Sequence, residues 1–307
     1  MFKVQVLLST YNGEKYLNKQ VESIISQKNV VTYILIRDDG STDGTVDQIK
    51  KLKQRYPNRI KFYQGKNLGY KKSFLDLAHR ASDLYDYYAF SDQDDYWLAN
   101  KLEKAIEHLS LNNNKIKLYA STVNITDENL KFLYKKDISN FINTLGSSLT
   151  RIRLAGCTYV FNYGALELLK NYNCKLIPEK QTISHDGLLI IFCQAVNGFV
   201  YVDQDSYILH RRRAGSITSG GNGIKKRVQI ETDMLFSHKN DKLFICKYLK
   251  DNYYKELSYD NKGLIDMILG YTSSLQARLN LLFNPKLKSG LKLADLETKV
   301  RIITNNF

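Results

Sequence analysis

Short apolar runs alternate with segments of helical periodicity along the first hundred residues. The runs have the length of buried strands and occupy positions 4–8, 33–36, 60–63 and 87–90. Between them, apolar residues recur every three or four positions, as at 16–25, which indicates amphipathic helices. Strand and helix alternating at this spacing predict right-handed crossovers and an α/β fold with a mostly parallel sheet.

The pattern becomes less regular in the middle of the chain. It predicts strands at 118–123 and 200–202, a loop leading into a strand at 155–162, and a buried helix at 188–192. Beyond the glycine-rich segment 220–223, the composition shifts to helix formers with Lys, Tyr and Leu. We therefore predict an α/β domain over 1–224 and a basic, mainly helical extension over 225–307.

The positive net charge indicates which classes of partner the protein could bind. The net charge is +14, and from Arg211 onward 18 Lys/Arg stand against 9 Asp/Glu. Such a surface suits nucleic acid, an anionic membrane or phosphorylated small molecules, and the alternative is a lysine-rich solvated surface. Nucleic acid is disfavoured because acidic clusters lie at the predicted strand ends, where they would repel phosphates.

The cysteines and the N-terminus point to a reducing, cytoplasmic location. The cysteines show neither a C-x-x-C pair nor zinc-site spacing with histidine, and they are Cys157, Cys174, Cys193 and Cys246. The first eight residues are expected to form a buried strand rather than a signal peptide. No apolar run reaches the roughly 18–20 residues that cross a bilayer.

An acidic cluster, Asp92-Gln93-Asp94-Asp95, directly follows the fourth predicted strand. Ligands of parallel α/β sheets bind beyond the carboxyl ends of the strands. Crowded carboxylates need a balancing cation, and Mg²⁺ or Mn²⁺ takes oxygen ligands together with phosphate. We expect Asp92 and Asp94 to point the same way and Asp95 to cap the following helix. The alternative is an acidic loop that only caps that helix.

A second cluster, Asp38-Asp39-Gly40-Ser41, follows the second strand. A carboxylate here can accept a hydrogen bond from a ribose hydroxyl or a base N–H, and the alternative is a capped glycine turn. The turn after strand one, 9–13, lacks G-x-G-x-x-G, which disfavours a nicotinamide oxidoreductase. Its hydroxyls and tyrosine ring are better suited to holding a base.

Two further segments carry candidate chemistry. His185-Asp186 precedes the buried helix, so Asp186 is a candidate general base, or else a helix cap. His210 is followed by three arginines, 211–213, which can bind phosphate in bidentate fashion or form a basic surface turn.

Taken together, these segments resemble the family 2 glycosyltransferases, which have the GT-A fold. The matching segments lie within about 1–215, and they are Ser9-Thr10-Tyr11-Asn12-Gly13, Asp38-Asp39-Gly40-Ser41, Asn67-Leu68-Gly69, Ser91 to Trp97, Gly156-Cys157-Thr158 and His185-Asp186. The fuller strings are most similar to bacterial rhamnosyltransferases of cell-wall and capsule assembly. The resemblance implies that 1–224 is the catalytic domain.

The resemblance also implies a role for each matching residue. Asp186 would be the catalytic base, and Asp94, with Asp92, would hold Mg²⁺ or Mn²⁺. The donor nucleotide would be bound by Thr10, Tyr11, Asn12, Asp39, Lys71, Asp92 and Gln93. The donor sugar or acceptor would be bordered by Trp97, Gly156, Cys157, Thr158 and His185. Arg211 and Arg213 would contact the diphosphate.

One position departs from the family pattern. Relatives often carry a His near the point where this chain has Arg213, and that His can touch the metal or the diphosphate. His210 lies three residues earlier. An arginine at this point could neutralise diphosphate directly and partly replace the charge of a metal, so the strength of metal dependence stays open.

The predicted function is that of an inverting, metal-assisted glycosyltransferase in polysaccharide biosynthesis. L-rhamnose from dTDP-rhamnose is the favoured donor, with a UDP-hexose as the alternative, and a catalytically silent nucleotide-sugar-binding or scaffold protein is the rival from another class. The acceptor would be a saccharide, expected to be lipid-linked. Leu279 to Phe283, with Lys286, Lys288 and Lys292, would lie on the inner membrane face, or else pack on the catalytic domain with lysines outward.

Overall fold

The computed structural model describes residues 1–173, 183–212 and 240–307. Arg213, Cys174 and the predicted boundary at 224 lie outside these ranges. Within them, none of the helices combines the length and the apolar character that a membrane crossing requires.

The main sheet of the described residues has seven strands in the order β10-β6-β9-β4-β1-β2-β3. All neighbours are parallel except β9, which runs antiparallel to both β4 and β6. The strands are β1 Phe2–Thr10, β2 Val30–Asp38, β3 Ile60–Gln64, β4 Tyr87–Ser91, β6 Lys117–Ser121, β9 Val160–Asn162 and β10 Phe199–Asp203. The predicted mostly parallel α/β sheet is thus confirmed, whereas the direction of β9 was not foreseen.

A second sheet of four short strands stands beside the first, in the order β5-β11-β7-β8. Its strands are β5 Tyr96–Trp97, β7 Asn124–Thr126, β8 Phe132–Lys135 and β11 Ile208–Arg211. The sequence pattern did not predict this sheet, because strands of two to four residues are too short to show a period. It brings the segment at 208–211 against the acidic loop after β4.

Helices cover both faces of the main sheet. They are α1 Leu17–Ile25, α2 Thr45–Arg55, α3 Gly69–Arg80, α4 Lys101–Ser110, α5 Leu145–Thr150, α6 Tyr163–Lys170, α7 His185–Ala195, α8 Asp241–Tyr253, α9 Tyr259–Gly270, α10 Leu275–Leu282 and α11 Lys292–Ile303. Short 3₁₀ turns occur at Gly156–Thr158 and Pro285–Leu287. Strand β1 alternates between the layers: Leu7 packs with α3, α6 and α7, while Val6 and Leu8 pack with α1, α2 and α4.

The C-terminal helices share a core with the α/β layers. On α9, the Asn261 amide donates to the carbonyls of Gln194 and Ala195 at the end of α7, at 3.0 and 2.9 Å. The Thr150 hydroxyl of α5 donates to the Leu287 carbonyl at 3.2 Å. A side chain at Gly146 would collide with the Lys286 carbonyl, so α5 and the Pro285–Leu287 turn are in close contact. These contacts fix the position of α8–α11 relative to the sheet.

Candidate active site

The side chain of Gln93, in the loop after β4, forms hydrogen bonds to the loop after β1. Its Oε1 accepts from the Thr10 hydroxyl at 2.5 Å and from the Tyr11 N–H at 2.9 Å, while its Nε2 donates to the Tyr11 carbonyl at 3.0 Å. The Thr10 side chain is therefore buried, whereas the Tyr11 ring stays exposed at the carboxyl end of the sheet. Thr10 and Gln93, both predicted to bind nucleotide, shape this loop while Tyr11 faces outward.

Asn12 ties the β1 and β2 loops together. It has a φ of 48°, in the left-handed region that Asn tolerates. Its N–H donates to the Ser41 hydroxyl at 2.9 Å, and its Oδ1 accepts from the Thr42 N–H at 2.8 Å. Two of the segments picked out by the sequence pattern thus form one rim.

Asp39 lies just below that rim and is buried. Its N–H donates to the Thr10 carbonyl at 2.8 Å. Its carboxylate accepts from the N–H groups of Leu68 and Gly69 at 2.8 and 2.9 Å and pairs with the Arg37 guanidinium. The carboxylate therefore anchors the start of α3 to the end of β2, and any bond to a base N–H would use its remaining lone pairs.

The acidic loop concentrates negative charge. Burial, then the carboxylates of Asp95 and Asp94, raise the pKa of Asp92 to about 8, and Asp186 acts in the same direction. The Asp92 carboxylate therefore lies within electrostatic reach of the other three, although Asp186 is almost a hundred residues away in the sequence. Contacts also link the two segments: Asp186 accepts from the Gly156 N–H, and the next residue, Cys157, lies 3.9 Å from the Asp95 partner His210.

Arg211 supports the acidic loop from behind. Its Nε donates to the Asp94 carbonyl at 2.8 Å, its Nη1 donates to the Glu128 carbonyl, and its guanidinium lies 4.6 Å from the centre of the Tyr16 ring. The side chain is buried. This position does not fit the expected contact with diphosphate, because the charged group faces the protein interior rather than the crevice.

Asp95 pairs with His210 instead of capping the next helix. His210 Nδ1 lies 2.9 Å from Asp95 Oδ1, and the Cys157 sulfur lies 3.9 Å from the same nitrogen. The Asp95 charge raises the pKa of His210 to about 9, and Asp92 and Asp94 add to this. Helix α4 begins only at Lys101 and has no side-chain cap bond, so the predicted Asp95 cap is wrong.

Asp186 opens α7 with its carboxylate against the Gly156–Thr158 turn. Its Oδ2 accepts from the Gly156 N–H at 3.1 Å, and its Oδ1 accepts from the Gly187 N–H at 2.9 Å. A side chain at Gly156 would place its Cβ 2.7 Å from the Asp186 Cβ, so the turn approaches because Gly156 lacks one. Each oxygen keeps lone pairs available to an acceptor hydroxyl.

Tyr70 is a residue that the sequence analysis did not single out. Its ring is exposed, yet burial, followed by the charges of Asp186 and Asp92, raises the pKa of its hydroxyl. The hydroxyl is therefore within electrostatic reach of both carboxylates. The sequence signal for Tyr70 was its position directly after the segment Asn67-Leu68-Gly69. Gly69 has a φ of 74° and is the first residue of α3. The residue after Tyr70, Lys71, also lies within electrostatic reach of Asp186. Burial lowers the pKa of Lys71, and the charges of Asp241 and Asp186 oppose that shift.

Three predicted sugar-site residues are instead packed inside. His185 stacks on Phe74 with ring centres 4.0 Å apart. Trp97 is buried against the Lys101 ammonium, which lies 3.8 Å from its ring centre. The Thr158 hydroxyl donates to the Ala155 carbonyl at 2.7 Å and accepts from the Ser121 N–H. These placements do not fit direct contact with a sugar.

Two donor sets could hold a cation. Asp95, Cys157 and His210 have ligand atoms within 4.8 Å of one another. However, a nitrogen and a sulfur donor suit Zn²⁺ better than Mg²⁺. Asp92 and Asp94 offer hard carboxylate oxygens, and their crowding would be relieved by a cation. The second set fits Mg²⁺ or Mn²⁺.

Comparison with known proteins identifies the family. The family model for glycosyl transferase family 2 matches residues 5–172, which is more than half of the chain. A dTDP-rhamnosyl transferase, RfbG of Shigella flexneri, is 33% identical over 216 residues, covering 67% of this chain and 71% of RfbG. The chain therefore belongs to glycosyl transferase family 2 and is a glycosyltransferase.

A further relative and a solved structure extend this comparison. The E. coli UDP-Glc:alpha-D-GlcNAc-diphosphoundecaprenol beta-1,3-glucosyltransferase WfaP is 28% identical over 207 residues, covering 67% of this chain and 68% of WfaP. S. aureus TarS 1-349 in complex with UDP-GlcNAc aligns with a TM-score of 0.54 and 17% identity, over 98% of this chain and 90% of TarS 1-349. The likeness to TarS concerns the fold, and with the family match it confirms the expected GT-A type.

Proposed function

We propose that this family 2 glycosyltransferase moves L-rhamnose from dTDP-rhamnose to a saccharide acceptor in polysaccharide biosynthesis, with inversion at the anomeric carbon. The proposal is supported by the contact between Asp186 and Gly156, because the next residue, Cys157, lies 3.9 Å from His210. His210 in turn pairs with Asp95, in the loop that also holds Asp92 and Asp94. A base candidate and a cation-binding candidate side by side suit a displacement at a sugar–diphosphate bond.

Asp186 would act as the general base. The acceptor oxygen attacks the anomeric carbon from the face opposite the diphosphate, its proton passes to Asp186, and the bonding electron pair leaves with the diphosphate. One displacement inverts the configuration. The Gly156 and Gly187 N–H groups hold the Asp186 carboxylate in place and leave it able to accept that proton.

Mg²⁺ or Mn²⁺ held by Asp92 and Asp94 would neutralise charge on the leaving diphosphate. Arg211 would keep this loop in position through its bond to the Asp94 carbonyl. His210, protonated beside Asp95, offsets part of the negative charge of the loop and would thereby limit how strongly the loop repels a diphosphate.

The nucleotide would lie on the rim formed by the β1 and β2 loops. The exposed Tyr11 ring offers a stacking surface, and Asn12 is exposed beside it. Asp39 below would accept the imide N–H of the base, Gln93 would keep the loops in register, and Lys71 would face the phosphates from α3. Uracil and thymine both carry that imide, so this contact is compatible with dTDP and UDP donors.

The choice of donor sugar is supported by the names of two relatives. RfbG is named a dTDP-rhamnosyl transferase and supports rhamnose, whereas WfaP is named for UDP-Glc, so a UDP-hexose is the alternative. The name of WfaP also includes a diphosphoundecaprenol-linked sugar. A lipid-linked saccharide is accordingly the proposed acceptor class.

Nucleotide release from a donor panel tests the proposal. The purified chain is offered dTDP-rhamnose, UDP-glucose and UDP-galactose, with Mg²⁺, with Mn²⁺ and with EDTA. We expect dTDP release from dTDP-rhamnose to exceed UDP release from the hexoses and to fall with EDTA. Asp94→Asn should weaken the metal response, and Asp47→Asn, an exposed carboxylate paired with Lys50, is its control.

Each other outcome of this panel changes a specific part of the proposal. Preference for a UDP-sugar would replace the rhamnosyl assignment. Activity unchanged by EDTA would remove the metal. Nucleotide binding without release from any donor, even with a lipid-linked saccharide mixture present, would favour the silent binding protein.

A further inference from the structure

The two last helices turn large apolar side chains outward. On α10 and its C-cap residue, Leu275, Leu279 and Phe283 follow one another at every fourth position, and Leu275 and Phe283 are 72% and 71% exposed. On α11, Leu293 is 72% exposed, and Leu296, Val300 and Ile303 are exposed with it. The two helices pack side by side. We call these seven side chains the exposed leucine face.

The helical periodicity of α11 separates this face from the buried one. Positions 293, 296, 300 and 303 fall on one side of a helix, and Ala294, Thr298, Arg301 and Ile302 are buried on the other. An ordinary surface helix turns polar residues, rather than apolar ones, toward water. Leu281, within the stretch first expected to face the membrane, is buried instead, so α11 supplies most of the surface.

The fully exposed charged residues of 271–307 are lysines, and the exposed Asp260 of α9 is paired with one of them, Lys286, at 2.7 Å. Lys292 and Lys299 are seven residues apart and lie next to the apolar row of α11, and both are exposed. Lys288 is exposed as well. Within 271–307, all of which is described, no carboxylate is fully exposed: Asp295 accepts from Ser289, and Glu297 pairs with Arg151 and Arg301.

The charges on this surface distinguish between two possible occupants, a second copy of the chain and a lipid bilayer. In a symmetric dimer through this face, the lysines of one copy would approach those of the other, with no exposed acid in the segment to offset them. An anionic lipid surface accepts both features, because leucines enter the acyl boundary while lysines contact headgroups. We propose that the exposed leucine face docks the enzyme on an anionic phospholipid bilayer.

The docked face is connected to the active site through α8. On the buried side of α11, Arg301 Nη1 lies 3.1 Å from Asp241 Oδ1 at the start of α8. Burial lowers the pKa of Lys71, and the charges of Asp241 and Asp186 oppose that shift, so Asp241 lies within electrostatic reach of Lys71. Docking would place the enzyme at the surface where a lipid-linked acceptor, the proposed acceptor class, resides. This consequence rests on the proposed function, whereas the docking itself does not.

Vesicle co-sedimentation without donor tests the docking. The full chain is mixed with vesicles of phosphatidylcholine alone or of phosphatidylcholine and phosphatidylglycerol in equal parts. We expect binding to the anionic vesicles, a loss of about tenfold or more in partitioning for Leu293→Gln/Leu296→Gln, and a several-fold loss for Lys292→Gln/Lys299→Gln. The control is Leu84→Gln/Leu111→Gln, which changes two leucines that are 80% and 82% exposed elsewhere.

Three results would overturn the proposal. The first is equal binding to both vesicle types. The second is unchanged binding of Leu293→Gln/Leu296→Gln. The third is a wild-type chain that ignores vesicles but dimerises in sedimentation, with the dimer lost in that variant, which would assign the face to a second copy. Donor turnover in vesicle-free buffer, measured in parallel, confirms that each variant is folded and keeps a failure of docking distinct from a failure of the proposed function.

Discussion

Asp186 and Gly156 touch across the candidate active site. The Gly156 N–H donates to Asp186 Oδ2 at 3.1 Å, and the space that a Cβ on Gly156 would need is already taken by the Asp186 side chain, 2.7 Å away. The position of the proposed base therefore depends on a missing side chain thirty residues earlier.

Gly156→Ala should lower turnover without abolishing nucleotide binding. The new methyl would push the Asp186 carboxylate away, and a displacement of about 1 Å can cost about 10²-fold in rate. Steady-state kinetics with isothermal titration of nucleotide separates the two effects. Gly263→Ala is the matched control, because nothing lies within 4 Å of its Cβ position. Equal turnover in the two variants would contradict the proposed dependence.

Asp186→Asn should retain donor affinity and lose most of its rate. The amide oxygen can still accept the Gly156 N–H, and only the bond from the Gly187 N–H is lost, so most of the local fold should persist. The amide, however, can no longer take a proton. Loss of a general base typically costs about 10²–10⁴-fold. Single-turnover product formation measures this, with nucleotide affinity alongside. A variant that turns over as fast as the wild type would remove Asp186 from the mechanism.

Gln93→Ala should act mainly on donor binding. Removing the amide frees Tyr11 and Thr10 from the β4 loop, with the loss of three hydrogen bonds. At about 0.5–1.5 kcal/mol each, with partial replacement by water, an increase of about tenfold or more in the nucleotide Kd is expected. Gln276→Ala on the surface of α10 is the control. A reduced kcat with an unchanged Kd would place Gln93 in the chemical step instead.

His185 makes stability depend on pH. Burial lowers its pKa from 6.5 to about 4, and neither ring nitrogen has a hydrogen-bond partner among the described residues. Between these two values the unfolded chain takes up a proton that the folded chain does not. The stabilisation is fully present above pH 6.5 and is lost as the pH falls towards 4, by about 3 kcal/mol over the whole range.

His185→Phe should therefore flatten this pH dependence. A phenyl ring keeps the stacking on Phe74 and Phe90 and cannot be protonated. Urea unfolding at pH 7 and pH 5 should show a smaller loss of unfolding free energy for the variant than for the wild type. Parallel losses in both proteins would mean that His185 is protonated inside the fold or exposed in solution.

The amino-acid sequence determined the layered α/β fold and the family. Apolar periodicity is a local property, so strands β1 to β4 and the helices between them could be located without coordinates. The parallel crossovers then forced the segments after β1, β2 and β4 to one edge of the sheet. The acidic character of that edge followed from the positions of Asp39, Asp92 and Asp94 alone.

Tertiary structure decided which way individual side chains face. Arg211 and His185 have residue types that suit a ligand site, yet each is buried against a neighbour distant in sequence, Tyr16 and Phe74 respectively. The pairing of Asp95 with His210 requires β11, a strand too short for its period to be seen. Likewise, spacing identifies α10 and α11 as helices, but only their packing against the rest of the chain decides that their leucines point outward, because burial is a property of the whole assembly of elements rather than of one segment.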